Sequence, residues 1–257
     1  MHGRRSAHIV IAALVFLLSA FSAADAFNIF SYQPMPEALQ ALESTEDVSA
    51  QSVFVWEWFD YYHVFQPAGE TPTKGFIFYP GGLVDARSYA PCARDIAAQG
   101  YMVVIISMPF DLAVFGMRRA DRIIDEYGDI ETWALGGHSF GGAITCAYVQ
   151  ETPDKVDGAV LWAAYPTETF RIDDVDIKVM SISGSEDGNS EPHEIIESEE
   201  HLPADTTWVK IEGGNHTNFG WYGDGEELQR GDNPADMSRQ EQQDIIIDNT
   251  VQFLDSL

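Results

Sequence analysis

One serine stands between glycines at residues 137–141, Gly137-His138-Ser139-Phe140-Gly141, with Gly142 immediately after. The apolar run Thr132 to Gly136 precedes it, and a helical pattern over Phe140 to Gln150 follows. In that context G-x-S-x-G predicts a sharp strand-to-helix turn that holds the serine hydroxyl out at the end of the strand. The glycines are needed because side chains there would collide with the neighbouring strand and helix. A serine hydroxyl is a weak nucleophile and needs a base to take its proton.

Three histidines lie downstream: His193, His201 and His216. The first two fall on an acidic helical pattern, Glu191 to His201, where a solvated face accounts for them. His216 ends Gly213-Gly214-Asn215-His216, directly after the last strand pattern, Thr206 to Ile211. A base placed there reaches a nucleophile at the same sheet edge. An acid is expected after an intervening strand, and Ile177 to Ser183 runs into Gly184-Ser185-Glu186-Asp187-Gly188. Asp187 is the favoured partner, to fix the tautomer of His216 and stabilise its imidazolium. Glu186 is the alternative, and an Asp before Gly is also an ordinary turn residue. Acyl transfer at Ser139 further needs donors for the oxyanion. One is the backbone N–H of Phe140; the other is expected from Tyr79-Pro80-Gly81-Gly82-Leu83-Val84-Asp85, at Gly82 or else at Leu83.

The elements that must position these residues alternate. A strand or edge hairpin is predicted at Ser52 to Phe65, followed by strands at Gly75 to Tyr79 and Tyr101 to Ser107. Helices are predicted at Ser88 to Gln99, with Ser88 as cap, and at Met117 to Tyr127. After the serine turn come a strand at Val156 to Ala163 and a last helix at Ser238 to Leu254. Apolar runs without polar alternation mark strands covered on both faces. The expected fold is therefore α/β: a mostly parallel central sheet with helices on both faces. Ligands bind outside the carboxyl ends of such strands, where Ser139, Asp187 and His216 all fall. Residues 213–236 form a long Gly-, Asn- and Asp-rich loop, a length that is usually functional or disordered.

The chain has 257 residues, enough for one α/β domain, with 14 Lys and Arg against 41 Asp and Glu, a net charge of −27. So acidic a surface repels phosphate backbones and anionic lipid, which excludes nucleic acid as a natural partner. Cys92 and Cys146 fall in apolar helical patterns and are expected as buried small hydrophobes, with one bridge as the most they could form. Nothing has metal-ligand spacing, and no cofactor is expected. Residues 1–26 differ from the rest: Arg4 and Arg5, the apolar run Ile9 to Phe21, then Ala24-Asp25-Ala26. That is the pattern of a secretory signal peptide, which predicts a secreted or extracytoplasmic protein. An uncleaved anchor over residues 9–24 is the rival, and would be the chain's only link to a membrane. Residues 27–51 are expected to form a polar lead-in and 52–257 the folded domain.

Taken together, YPGGLVDARSYAP, GYMVVIISMPFDLAVF, GGHSFGG, the GSEDG turn and GGNHTNFGWYGD resemble the α/β-hydrolases over nearly all of residues 52–257. The resemblance is to the compact branch called alpha/beta hydrolase fold-5, which is similar to dienelactone hydrolases. It implies a Ser139–Asp187–His216 triad and hydrolysis of a small carboxylic ester or related acyl bond. Tyr79-Pro80 stands where many relatives carry His-Gly. Only about a dozen residues, Tyr165 to Asp176, lie where relatives insert a cap, so no cap domain is expected. The site should then be open and walled by aromatics from Phe110 to Phe115, Tyr165 to Phe170 and Phe219 to Tyr222. The alternative reading is a catalytically silent hydrolase fold that binds a ligand or partner.

Overall fold

A computed structural model describes residues 31–56, 60–224 and 227–257. The expected leader lies outside the described residues. An eight-stranded sheet runs in the order β1-β2-β4-β3-β5-β6-β7-β8. β1 (Val48–Trp56) and β2 (Asp60–Pro67) form an antiparallel hairpin at one edge, and β2 also runs antiparallel to β4 (Met102–Ile106). The other strands are parallel: β3 (Lys74–Tyr79), β4, β5 (Thr132–His138), β6 (Gly158–Trp162), β7 (Lys178–Gly184) and β8 (Thr207–Ile211).

Both faces are covered, which is why the inner strands are apolar throughout. Ile77, Val104, Leu135 and Leu161 pack into one core, against Ile123 and Ile144. Their chain neighbours Phe76, Val103, Ala134 and Val160 point the other way, toward Ile96, Ile246 and Phe253. Alternation thus sorts side chains between two cores rather than between core and water. Cys146 lies in the first core and Cys92 in the second, both buried and free.

The lead-in is a correction. Its described part, 31–51, is built into the domain: α1 (Pro36–Gln40) and the first residues of β1 belong to it. Ala38 and Ala41 are fully buried, and Tyr32 exchanges backbone hydrogen bonds with Leu83 and Asp85. Apart from Val48 the segment buries only alanines and turns its carboxylates outward, so it looks polar throughout. The helix expected from Ser88 also starts differently. A 3₁₀ turn at Ala86–Tyr89 leads into α2 (Ala90–Ala97), and Asp85, not the buried Ser88, accepts the Arg87 N–H at 2.9 Å.

α3 (Arg119–Glu126) and α4 (Phe140–Glu151) follow the expected pattern. The acidic helix is α5 (Pro192–Glu197) and ends in a 3₁₀ turn, Ser198–His201. Ser238 and Glu241 form a reciprocal capping box at the start of α6 (Arg239–Ser256). Between β6 and β7 the chain forms only a 3₁₀ turn, Glu168–Phe170, so no cap is built there. Among the described residues, no helix is long and apolar enough to cross a membrane.

Candidate active site

β5 ends at His138 and α4 begins at Phe140, leaving Ser139 alone at the turn with φ 52° and ψ −123°. A non-glycine residue in so sparse a region costs on the order of 1–3 kcal/mol. Hydrogen bonds on both sides hold it: the Ser139 N–H donates to Trp162 O at 2.9 Å, and Ser139 O accepts from Gly142 N at 2.9 Å. A Cβ on Gly141 would overlap the Tyr79 and Pro80 carbonyls, and one on Gly137 would overlap the backbone of Gly141 and Gly142. Only glycine permits helix and strand to approach this closely. Ser139 itself is half-buried.

Asp187 and His216 arrive from adjacent strands. β7 and β8 pair through Gly184 and Ile211, and the turns beyond them stay zipped: Ser185 N–H donates to Ile211 O, and Glu186 N–H to Gly214 O. That zipper sets Asp187 Oδ2 2.9 Å from His216 Nδ1, with both side chains fully buried. Asp187 Oδ1 accepts the Asn189 and Ser190 N–H groups at 2.8 and 2.7 Å, so both carboxylate oxygens are satisfied. Glu186 instead turns its carboxylate to the Ser185 hydroxyl. With Nδ1 held by Asp187, His216 keeps Nε2 buried and without a hydrogen-bond partner among the described residues. The ring of His138, the residue before Ser139, lies 4.5 Å from the His216 ring between centroids.

A residue that the sequence did not single out ties the two turns together. Asp232 Oδ1 accepts the N–H of Gly188 at 3.1 Å and of His216 at 3.2 Å; Oδ2 accepts the N–H and hydroxyl of Thr217 at 2.7 and 2.6 Å. Nothing in an acid-rich loop distinguishes it from Asp224 or Asp236 before folding. Burial pushes the His216 pKa down, but the Asp187 charge and hydrogen bond, with Asp232 behind, outweigh it and hold the imidazole above its usual 6.5.

At the end of β3 the three candidate N–H groups differ. Gly81 N–H donates to the Tyr89 hydroxyl at 3.0 Å, and Leu83 N–H donates to Asp111 O at 2.8 Å. The Gly82 N–H has no hydrogen-bond partner among the described residues. A Cβ on Gly82 would lie 3.3 Å from Phe140 Cβ, so Gly82 and Phe140 face each other across the serine turn. Leu83, the alternative donor, is already engaged.

His193 is exposed and pairs with Glu191; His201 pairs with Glu168. Of the aromatics expected to wall the site, Phe170, Phe219 and Tyr222 are buried and Tyr165 and Trp221 are half-buried. Phe110 and Phe115 remain exposed, in edge-to-face contact at 5.9 Å. Among the described residues no cluster of His, Cys, Asp and Glu could hold a metal ion.

The family model for the Alpha/beta hydrolase family matches residues 75–244. The chain belongs to the α/β-hydrolase family. It is a hydrolase with the mostly parallel sheet of that family and no large cap. No curated protein matches the chain. Among solved structures, one titled a predicted CIB-like hydrolase from Thermoplasma acidophilum superposes with a TM-score of 0.59 at 15% identity. That superposition covers 82% of this α/β-hydrolase and all of the other chain.

Proposed function

We propose that this α/β-hydrolase is a serine esterase acting on small carboxylic esters or related acyl compounds. One observation carries the reading: a buried His216, oriented by Asp187 and with Nε2 unengaged, lies beside the strained turn that presents Ser139. Ser139 Oγ attacks the acyl carbon and His216 Nε2 takes its proton. The Gly82 and Phe140 N–H groups stabilise the oxyanion, and Asp187 stabilises the imidazolium. His216 then protonates the leaving alcohol. Water, deprotonated by the same nitrogen, hydrolyses the acyl-enzyme through a second oxyanion.

Small substrates are favoured by what surrounds the site. Only the short turn at Glu168–Phe170 lies where a cap would be inserted. The described part of the loop between Gly213 and Asp236 is tied to itself by hydrogen bonds. Asn215 Nδ2 donates to Asn233 O, the Tyr222 hydroxyl to Gln229, and Asp236 N–H to Gly213 O. An apolar tunnel would add about 0.8 kcal/mol for each buried methylene and make activity climb with chain length. In a p-nitrophenyl ester series, kcat/KM is expected to peak at short acyl chains, without activation at a lipid–water interface. A continued rise into long chains would show a hydrophobic channel and make the enzyme a lipase; no turnover of any ester would leave the silent fold.

The pH profile gives a second expectation. His216 must be neutral to accept the serine proton, and its pKa is raised, so the acid limb of kcat/KM has its midpoint above 6.5. Asp232→Asn removes one of the negative charges that raise it, and the midpoint moves to lower pH. A wild-type midpoint below 6.5, or no shift in the variant, contradicts this account of the His216 environment.

A further inference from the structure

His138 has no role in the chemistry above, yet it is fully buried at the centre of the site. It lies between two parts that must keep a fixed relation. On one side its ring tilts against His216 at 4.5 Å and stacks on Phe219 at 5.5 Å with an interplanar angle of 10°. On the other, its Nδ1 lies 2.8 Å from the Tyr89 hydroxyl, which in turn accepts the Gly81 N–H at 3.0 Å. Gly81 packs so closely on this pair that a Cβ there would lie 2.8 Å from His138 Nδ1 and 2.9 Å from the Tyr89 oxygen.

Proton counting fixes the direction of the chain. The Gly81 N–H can only donate, so the phenol oxygen accepts from it. The phenol hydrogen then needs an acceptor, and among the described residues His138 Nδ1 is the partner able to accept it. His138 is therefore the neutral tautomer protonated on Nε2. His138 Nε2 is buried without a hydrogen-bond partner among the described residues, so this tautomer leaves one group unpaired, whereas a proton on Nδ1 would leave two, the phenol hydrogen and Nε2. Burial, and then the proximity of His216, keep His138 far below the usual imidazole pKa, which matches a permanently neutral ring.

We propose that Tyr89 and His138 are a positioning pair that locks the Gly81-Gly82 turn to the base, so that the Gly82 N–H points at the developing oxyanion. The role rests on the serine esterase reading. Gly81 N–H→Tyr89 O–H→His138 Nδ1 is one continuous chain, and its far end packs on the ring of His216. Neither side chain hydrogen-bonds His216 Nε2. A donor that matters in the transition state and not in the ground state alters kcat more than KM.

The test compares Tyr89→Phe, His138→Phe and His138→Gln with wild type on a short-chain p-nitrophenyl ester, with thermal unfolding followed for each. Tyr89→Phe is expected to lower kcat about 10- to 100-fold, less than loss of a whole oxyanion donor, with KM within about twofold. His138→Phe keeps the ring packing but removes the acceptor and should match it. His138→Gln restores an acceptor oxygen and should recover much of the loss. A Tyr89→Phe enzyme with wild-type kcat, a loss carried by KM, or Gln no better than Phe overturns the positioning role. A variant that does not fold leaves the tautomer as the arbiter, since ¹⁵N shifts of the wild-type ring must show the proton on Nε2; a proton on Nδ1 overturns the chain. Fluorophosphonate labelling of wild-type Ser139 tests the parent reading separately. Without labelling or turnover the esterase itself falls; with both, only the His138 and Tyr89 outcomes bear on the pair.

Discussion

Ser139→Ala is expected to lower kcat by about 10⁶ and to abolish fluorophosphonate labelling, while the protein stays folded. The size follows from the nucleophile acting as part of a unit: without it, the Asp187–His216 pair has nothing to deprotonate. What survives is the residual acceleration from substrate binding and the oxyanion donors, on the order of 10³–10⁴ over water. Folding is spared because Ser139 is held by its backbone. Its N–H bonds Trp162 O, its carbonyl accepts from Gly142, and no side-chain cap bond is made to α4. Alanine keeps the same φ of 52° at similar cost. The measurement is kcat on a short-chain ester together with intact mass after probe treatment. Retained labelling in the variant would place the nucleophile elsewhere.

The parts of this site that local chemistry specifies were legible before folding. A sharp turn between a strand and a helix needs glycines at Gly137 and Gly141, so G-x-S-x-G carries its own geometry. Parallel strands covered on both faces announce themselves as unbroken apolar runs, as at residues 102–106. Choices made by tertiary contact were not legible. Asp187 and Glu186 are adjacent, and the zipper between the β7 and β8 turns decides which of them meets His216. Gly82 and Leu83 are separated as donors only because Asp111 O, far along the chain, takes the Leu83 N–H. Asp232 is one carboxylate among many until the chain returns it to the site. The same holds for residues 31–51, whose burial rests on small side chains and backbone bonds that leave no periodic signature.

The second large effect is expected at His216. His216→Ala should reduce kcat about as far as Ser139→Ala, because base and nucleophile fail together. The acid limb of the pH profile should vanish with it, leaving a residual rate that rises with hydroxide. His193→Ala and His201→Ala test the choice among the three downstream histidines. His193 stands on the surface against Glu191, and His201 binds Glu168 and the Pro166 carbonyl. The exposed His193 pair contributes little, about 0–1 kcal/mol, His201 is largely buried against the Glu168 turn, and neither ring is joined to Asp187. Both variants should therefore keep kcat within a few-fold of wild type and retain its pH profile. Removing His216 also leaves the buried Asp187 carboxylate without one of its hydrogen-bond donors, so some loss of stability is expected and unfolding must be followed alongside kcat. A loss at His193 or His201 comparable to that at His216, in protein that remains folded, would mean that the base is not in the loop after β8. A His216→Ala enzyme that keeps its acid limb would mean that another group titrates in its place.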